Sequence, residues 1–409
     1  MHDKNKKIDS FLLPYILILI FFGIFFLFSK HDVGNDSSLS DWLINFSGGF
    51  VRRGVIGEIS IFFSNIFSIG LRDSIFLFQV IIFTSYYLLV YLFFKNILRN
   101  RYFLLAIFCP IFVLHPVAEI EILGRKELFI FLIFLSYLFF DIEKKIIQII
   151  FKIFLFPLAV LIWEPVIFFF TYIIIIDLVT FKIERTDKKL LFVFLSYIFV
   201  FLIFLFIYLN PISAEGFLQM KSFLKTEFNE SCYMSCYFVG NQGQNSFFEL
   251  LQENLSKIKF SFILTYSWIV FIGFLPIMIL LKNTKLNASF KKVLIFSKFN
   301  SLFFPFLIIF LPCLTLYFLM YDWARVVHMS YTFTLLSYFW MIKKNIVYVN
   351  YQALSKNFIN KTSNKIFMLI FVVYCFGWNP KVVISDDIAS KPIYATPYKF
   401  YKYFLKEKF

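Results

Sequence analysis

Four histidines and five cysteines in 409 residues leave little material for a metal centre. His31, His115 and His328 stand in no HxxxH or HExxH pattern, which excludes the zinc helix of a metalloprotease. No GxSxG elbow and no clear Ser/His/Asp order is present, which removes the α/β-hydrolase reading. Charge is scarce as well. Asp, Glu, Lys and Arg make up 16% of the chain against 60% hydrophobic residues, a balance no ordinary soluble domain shows. No long acidic or proline-rich tract marks a linker, and no repeat of fixed period is visible.

What the chain has instead is apolar runs of bilayer length from end to end, so we expect one all-α polytopic transmembrane domain covering residues 1–409. Eleven candidate spans follow: 11–29, 75–94, 102–116, 128–141, 146–163, 166–181, 190–209, 260–281, 299–320, 329–342 and 366–378, the shorter ones tilted, re-entrant or buried among neighbours. The first run is too long for a signal peptide and lacks a small-residue cleavage site, so we read it as a retained span. With the N-terminus in the cytoplasm, the clusters Lys4/Lys6/Lys7, Lys95/Arg99/Arg101, Lys144/Lys145, Lys182/Arg185/Lys188/Lys189, Lys282/Lys285/Lys291/Lys292 and Lys343/Lys344/Lys356/Lys361/Lys365 all fall inside. The net charge of +15 therefore reads as membrane orientation and not as nucleic-acid binding. The tail 379–409 and the segment 210–259 fall outside, the latter as short amphipathic helices around Cys232 and Cys236. In an oxidising compartment these two cysteines suit a local disulfide, although two free thiols also fit. Lys152 and Asp177 lie near the cytoplasmic ends of spans, where snorkelling accounts for them.

Arginine and lysine then part company. Five of the eight arginines, Arg52, Arg53, Arg72, Arg125 and Arg325, land outside, where orientation gives no reason for them. Guanidinium suits bidentate contact with phosphate, and a cluster at headgroup level points to a phosphorylated lipid. Four outer segments concentrate the polar groups. "SDWLINFSGGFVRRGVIGE" carries Asp41, Arg52, Arg53 and Glu58, and the apolar stretch after it suits a helix lying on the membrane surface. "HPVAEIEILGRKE" carries His115 and Arg125, with Glu121 placed for an i,i+4 ion pair if the segment is helical. "WEP" sets Glu164 at a junction of two spans with little polar company, and "YDWARVVH" sets Asp322 beside Arg325 and Arg325 beside His328.

The carboxylates among these groups are what glycosyl transfer needs to deprotonate an attacking sugar hydroxyl. On "GGFVRRGVIGE", "GRKE" and "DWARVVH", and in overall topology, the chain resembles the Wzy-type O-antigen polymerases of bacterial inner membranes. That resemblance implies joining of undecaprenyl-diphosphate-linked repeat units at the periplasmic face, without nucleotide, metal or other cofactor, alongside a chain-length regulator. It makes Asp41, Asp322 and Glu164 the candidate catalytic carboxylates, with Arg52, Arg53, Arg125, Arg325, His328 and Glu58 around the diphosphate. The chain also resembles the GT-C polytopic glycosyltransferases, whose first outer loop carries a catalytic acid and surface-lying helices. Asp41 followed by residues 55–73 matches that plan, and the donor implied is a polyprenyl-phosphate sugar. A flippase for the same lipid-linked glycan is a further alternative, set back by the lack of charge at mid-membrane.

Overall fold

A computed structural model describes residues 8–31, 37–98, 100–140, 142–184, 188–242, 247–294, 296, 298–382, 390, 392, 397–398 and 401. The basic N-terminal cluster Lys4/Lys6/Lys7, Arg99, Arg185 and most of the 379–409 tail lie outside these residues.

The described chain is helical almost throughout, and five helices are long and apolar enough to cross a membrane. These are α1 (Asp9–His31), α3 (Leu71–Phe94), α6 (Lys145–Ile162), α8 (Lys189–Leu209) and α12 (Phe260–Lys282). The others introduced here are α2 (Gly54–Phe67), α4 (Arg101–Ile107), α5 (Glu127–Phe139), α7 (Phe170–Thr180), α9 (Ala214–Phe228), α10 (Ser235–Gln242), α11 (Phe247–Lys257), α13 (Phe303–Leu319), α14 (Trp323–Lys343) and α15 (Asn364–Phe376). A helix thus stands in each of the eleven expected stretches, but several are short. One two-stranded antiparallel sheet, β1 (Thr284–Leu286) with β2 (Val347–Val349), ties the turn after α12 to the turn after α14.

The amphipathic pattern follows from what each helix touches. On α1, Leu12, Ile16, Leu19, Gly23 and Leu27 face inward, while Phe21, Phe25 and Phe28 are exposed, as a lipid-facing side requires. In contrast, α14 is buried from Trp323 to Met341 on all sides and forms the centre of the bundle.

The third expected span is broken. α4 ends at Ile107, and the chain runs through turns to a short helix at His115–Ala118, with nearly every residue between Tyr102 and Val117 buried. Non-helical backbone survives at such depth only when protein satisfies its carbonyls. Here side chains do so: Tyr331 Oη donates to the Ala106 carbonyl, Tyr87 Oη to that of Val113, and His328 Nδ1 lies 2.6 Å from that of Ile111.

The end of the bundle where α1 finishes is called here the first-loop end. The 210–259 segment is helical as expected, and its cysteines are joined as Cys232–Cys236. It packs onto the first loop: Gly48 and Gly216 approach so closely that a Cβ on Gly48 would meet the Gly216 carbonyl oxygen at 1.8 Å. Arg72 forks onto Glu230 at 2.5 and 3.0 Å, and Ser235 N donates to Ser40 Oγ at 3.3 Å. The chain beyond α15 returns to this end, where Asn379 meets His115 at 3.1 Å and Lys381 meets Glu119 at 3.4 Å.

Candidate functional site

The first loop folds back into the bundle instead of standing in solvent. After a helical turn at Ser37–Ser40, residues Asp41–Leu43 make a 3-10 turn whose side chains are all buried. Trp42 Nε1 donates to the Gly124 carbonyl at 2.7 Å, and Gln79 Nε2 reaches both that carbonyl and the one of Ser38. Gly124 has φ +72°, a left-handed turn that a side chain would strain, and it aims Arg125 and Lys126 back toward the first loop. Two loops some eighty residues apart are thus bolted together around Asp41.

The remaining parts arrive from helix ends. Arg53, with φ +65°, is the residue before α2, a left-handed backbone unusual for a side-chain-bearing residue and typical of sites that need a fixed direction. Its guanidinium grips Glu164 with Nε at 2.8 Å and Nη2 at 2.7 Å, and Arg52 Nη1 lies 3.6 Å from the same carboxylate. Lys126 Nζ donates to the Arg53 carbonyl at 2.7 Å. Asp322, just before α14, accepts from Arg125 Nη1 at 3.1 Å and from Arg325 Nη1 at 2.7 Å. Arg325 also bonds Glu127 and stands over the Trp163 ring at 5.5 Å.

Five cations (Arg52, Arg53, Arg125, Lys126 and Arg325) and four carboxylates (Asp41, Glu127, Glu164 and Asp322) therefore share one cluster, in which Arg52, Arg53, Glu164 and Asp322 are half-buried and the other five are buried. Burial acts to raise the Asp41 carboxyl, but Lys126, Arg125, Arg325 and Arg53 outweigh it and hold it below the usual carboxylate range. Burial likewise opposes ionisation of Glu164, yet Arg53 and then Arg52 bring it down to about 2. Lys126 is pushed down to about 8 by burial, with Asp41 acting in the opposite sense.

The bonding is incomplete. Asp41 Oδ1, Glu127 Oε2, Arg52 Nε and Arg325 Nε are buried without a hydrogen-bond partner among the described residues. Seventeen buried side-chain polar atoms lack a partner among the described residues, most of them hydroxyls and ring nitrogens; the four in this cluster belong to charged groups, for which an open valence costs most. The cluster is nonetheless closed in this structure, since Glu164 pairs with Arg52 and Arg53, and Asp322 and Glu127 with Arg125 and Arg325. Two shallow surface cavities, of about 640 Å³ along α9 and about 540 Å³ between α9 and the turn from α2 to α3, are lined by none of its residues.

Comparison with protein-family models, curated proteins and solved structures finds no match. The cluster is therefore read on its own chemistry.

Several expectations change. Glu164 is not short of polar company: Arg52 and Arg53, 111 residues earlier for the latter, come to it through folding. The Glu121–Arg125 helical pair does not form, because the chain turns at Gly124; Arg125 Nε instead donates to the Glu121 backbone carbonyl at 2.5 Å. His328 points away from the arginines and serves the broken α4 segment through the Ile111 carbonyl. Glu58 is exposed and accepts from Phe46 N at 3.0 Å, closing the glycine-rich loop rather than joining the cluster. Arg72 pairs with Glu230. Lys126 and Glu127 stand in the second outer segment, as "GRKE" shows, but carried no expected role; both are cluster members. Their signal was their place, two charges beside Arg125 at the mouth of an apolar helix. Among the described residues no group of three or more His, Cys, Asp or Glu is placed to hold a metal ion.

Proposed function

We propose that the chain is an integral membrane glycosyltransferase that takes its sugar from a polyprenyl-phosphate or polyprenyl-diphosphate carrier at the first-loop end. The observation that carries this reading is Asp41, a buried carboxylate with one unpartnered oxygen, set among Arg53, Arg125, Lys126 and Arg325. Asp41 takes the proton of the acceptor hydroxyl. The hydroxyl oxygen then bonds to the anomeric carbon, and the bond from that carbon to the phosphate oxygen breaks with its electron pair leaving on phosphate. The arginines and Lys126 neutralise the departing charge, so the phosphate leaves without a general acid.

The closed forks fit this scheme. Glu164 and Asp322 occupy the places in which a phosphate would sit, and a donor phosphate displaces them because it offers more charge to the same guanidiniums. Once the cations are shared with phosphate, they hold Asp41 less firmly ionised and its basicity rises toward what proton abstraction needs.

Joining of undecaprenyl-diphosphate-linked O-antigen repeat units at the periplasmic face of a bacterial inner membrane is one form of this activity. A second form, transfer of a single sugar from a polyprenyl phosphate as in GT-C enzymes, is favoured by one arrangement. Asp41 is followed, after the glycine-rich loop, by α2, which buries Ile56, Ser60, Ile61 and Ser64 against the bundle and exposes Phe62, Ile66 and Phe67. Such a helix suits a membrane surface beside a lipid carrier. Surface polysaccharide from the native host separates the forms when Asp41→Asn or Arg53→Ala replaces the wild type. A polymerase defect leaves one repeat unit on the lipid anchor, a single-sugar defect gives a truncated repeat unit, and a flippase defect leaves no capped anchor. Unchanged ladders in both variants reject the proposal.

A further inference from the structure

A second ionic site lies inside the helical bundle, and snorkelling does not explain it. Lys152 and Asp177 were expected to reach toward water from span ends; instead they are 5% and 0% exposed and face each other, Nζ to Oδ2 at 2.5 Å. Asp177 also accepts from Tyr137 Oη and, at 2.8 Å, from Tyr197 Oη. Lys152 donates further to Gln148 Oε1 at 3.1 Å and stands 4.9 Å from the Tyr197 ring centroid. The helix carrying Lys152 is a π turn over Ile150–Leu155, and the wider turn is a local departure of the kind that redirects a side chain within a helix. None of Lys152, Asp177, Tyr137 or Tyr197 leaves a buried polar atom unpaired among the described residues.

The four partners come from four helices. Tyr137 is in the last turn of α5, Lys152 is in α6, Asp177 is near the end of α7, and Tyr197 is at the break in α8. Three of those helices lead directly to the first-loop cluster. α5 begins at Glu127 beside Lys126, and Glu164 lies in the connection between α6 and α7. At 1.5 Å per residue, Tyr137 is about 15 Å along its helix from Glu127, and Asp177 is roughly 20 Å along the chain direction from Glu164.

We propose that Asp177, with Lys152, Tyr137 and Tyr197, is a buried staple that fixes the axial register of α5, α6 and α7 and so holds Lys126, Glu127 and Glu164 at the height the cluster requires. These are positioning residues, and their functional meaning rests on the reading of the cluster as the site. The pair specifies register because every alternative sliding of α6 against α7 leaves two charges apart in a medium that cannot solvate them.

The test uses the full-length protein in detergent, with Lys152→Met, Asp177→Asn and the double variant. Breaking a buried pair is costly while removing both charges is much less so, and each single variant is expected to lower the melting temperature by about 8 °C, with the double variant losing less than either. Hydrogen–deuterium exchange reads register at the far ends. In the single variants, the amides of residues 126–129 and of Trp163, Glu164, Val166 and Ile167 exchange at least about tenfold faster than in wild type, with recovery in the double variant. Ile277→Ala, a core truncation on α12, supplies equal thermal loss without that local acceleration. Additive losses in the double variant, unchanged exchange at both tips, or equal acceleration in Ile277→Ala would each overturn the staple. Neither arm depends on substrate, so failure of the wild-type protein to bind undecaprenyl diphosphate would overturn the glycosyltransferase reading and leave the staple to its own result.

Discussion

The protein holds two buried ionic sites, and they differ in whether their bonding is complete. The Lys152–Asp177 node has one cation, one carboxylate and two tyrosines, and every polar atom in it is engaged. The first-loop cluster has five cations against four carboxylates and leaves four polar atoms buried and unpaired. A charge network that exists only to hold helices together closes on itself, because each open valence inside a protein is destabilising. A network that must receive an anion keeps spare donors and an excess of positive charge. Asp41 adds a second contrast: it is surrounded by cations at a distance yet none of them saturates its Oδ1.

Breaking the comparison begins with Asp41. On the proposed reading, Asp41→Asn is expected to lower glycosyl transfer about 1,000-fold, within the range for loss of a general base, with a smaller fall in melting temperature than Asp177→Asn, because the cations around Asp41 lose a charge but no direct ion pair. A comparable activity loss with collapse of the fold would make Asp41 a structural residue like Asp177. Next in size, Arg53→Ala strands the buried Glu164 carboxylate and is expected to cost up to about 3 kcal/mol in denaturant unfolding, together with loss of anion binding. Arg53→Lys, which keeps charge but not the two-pronged grip, should recover stability more than binding. The disulfide is smaller. It closes a loop of four-residue separation, and Cys232→Ser with Cys236→Ser should cost about 2 kcal/mol at most, measured with and without reductant.

His328→Phe sharpens the boundary of the cluster. It removes the partner of the Ile111 carbonyl and is expected to cost about 1.5 kcal/mol, with anion affinity unchanged. The smallest effect is one of pH. Lys126, held down to about 8 by burial, is charged below that pH and neutral above it, so anion affinity should fall several-fold as pH rises from 7 to 9. Lys126→Arg should flatten that profile. Glu164 has the opposite sign for folding: its carboxyl, brought down to about 2, contributes stability that is full above its ordinary pKa and lost as pH falls toward 2.

How far the sequence disclosed this molecule depends on the range of the interaction. The helices were legible because apolar runs of bilayer length are local facts, as was the helical character of 210–259 around its two cysteines. The segments holding Asp41, Arg52, Arg53, Arg125, Asp322 and Arg325 were legible because charge in an apolar chain stands out. Of their pairings only the local one, Arg325 with Asp322, was legible; Arg53 meets Glu164 across 111 residues and Arg325 meets Glu127 across 198. Lys152 and Asp177 were misread for the same reason: each looks like a snorkelling charge until the fold shows it facing the other. The break after α4 hid His328's task, because no local pattern says that a carbonyl in a distant turn needs a donor.

Binding of undecaprenyl diphosphate and of undecaprenol to the purified protein tests the central claim most directly. With phosphate displacing Glu164 and Asp322 from the guanidiniums, the cation-rich cluster predicts that the diphosphate lipid binds at least about a hundredfold more tightly than the uncharged one, and that Arg53→Ala and Arg325→Ala each remove at least tenfold of that difference. Equal affinity for the two lipids, or a preference untouched by either substitution, would contradict it.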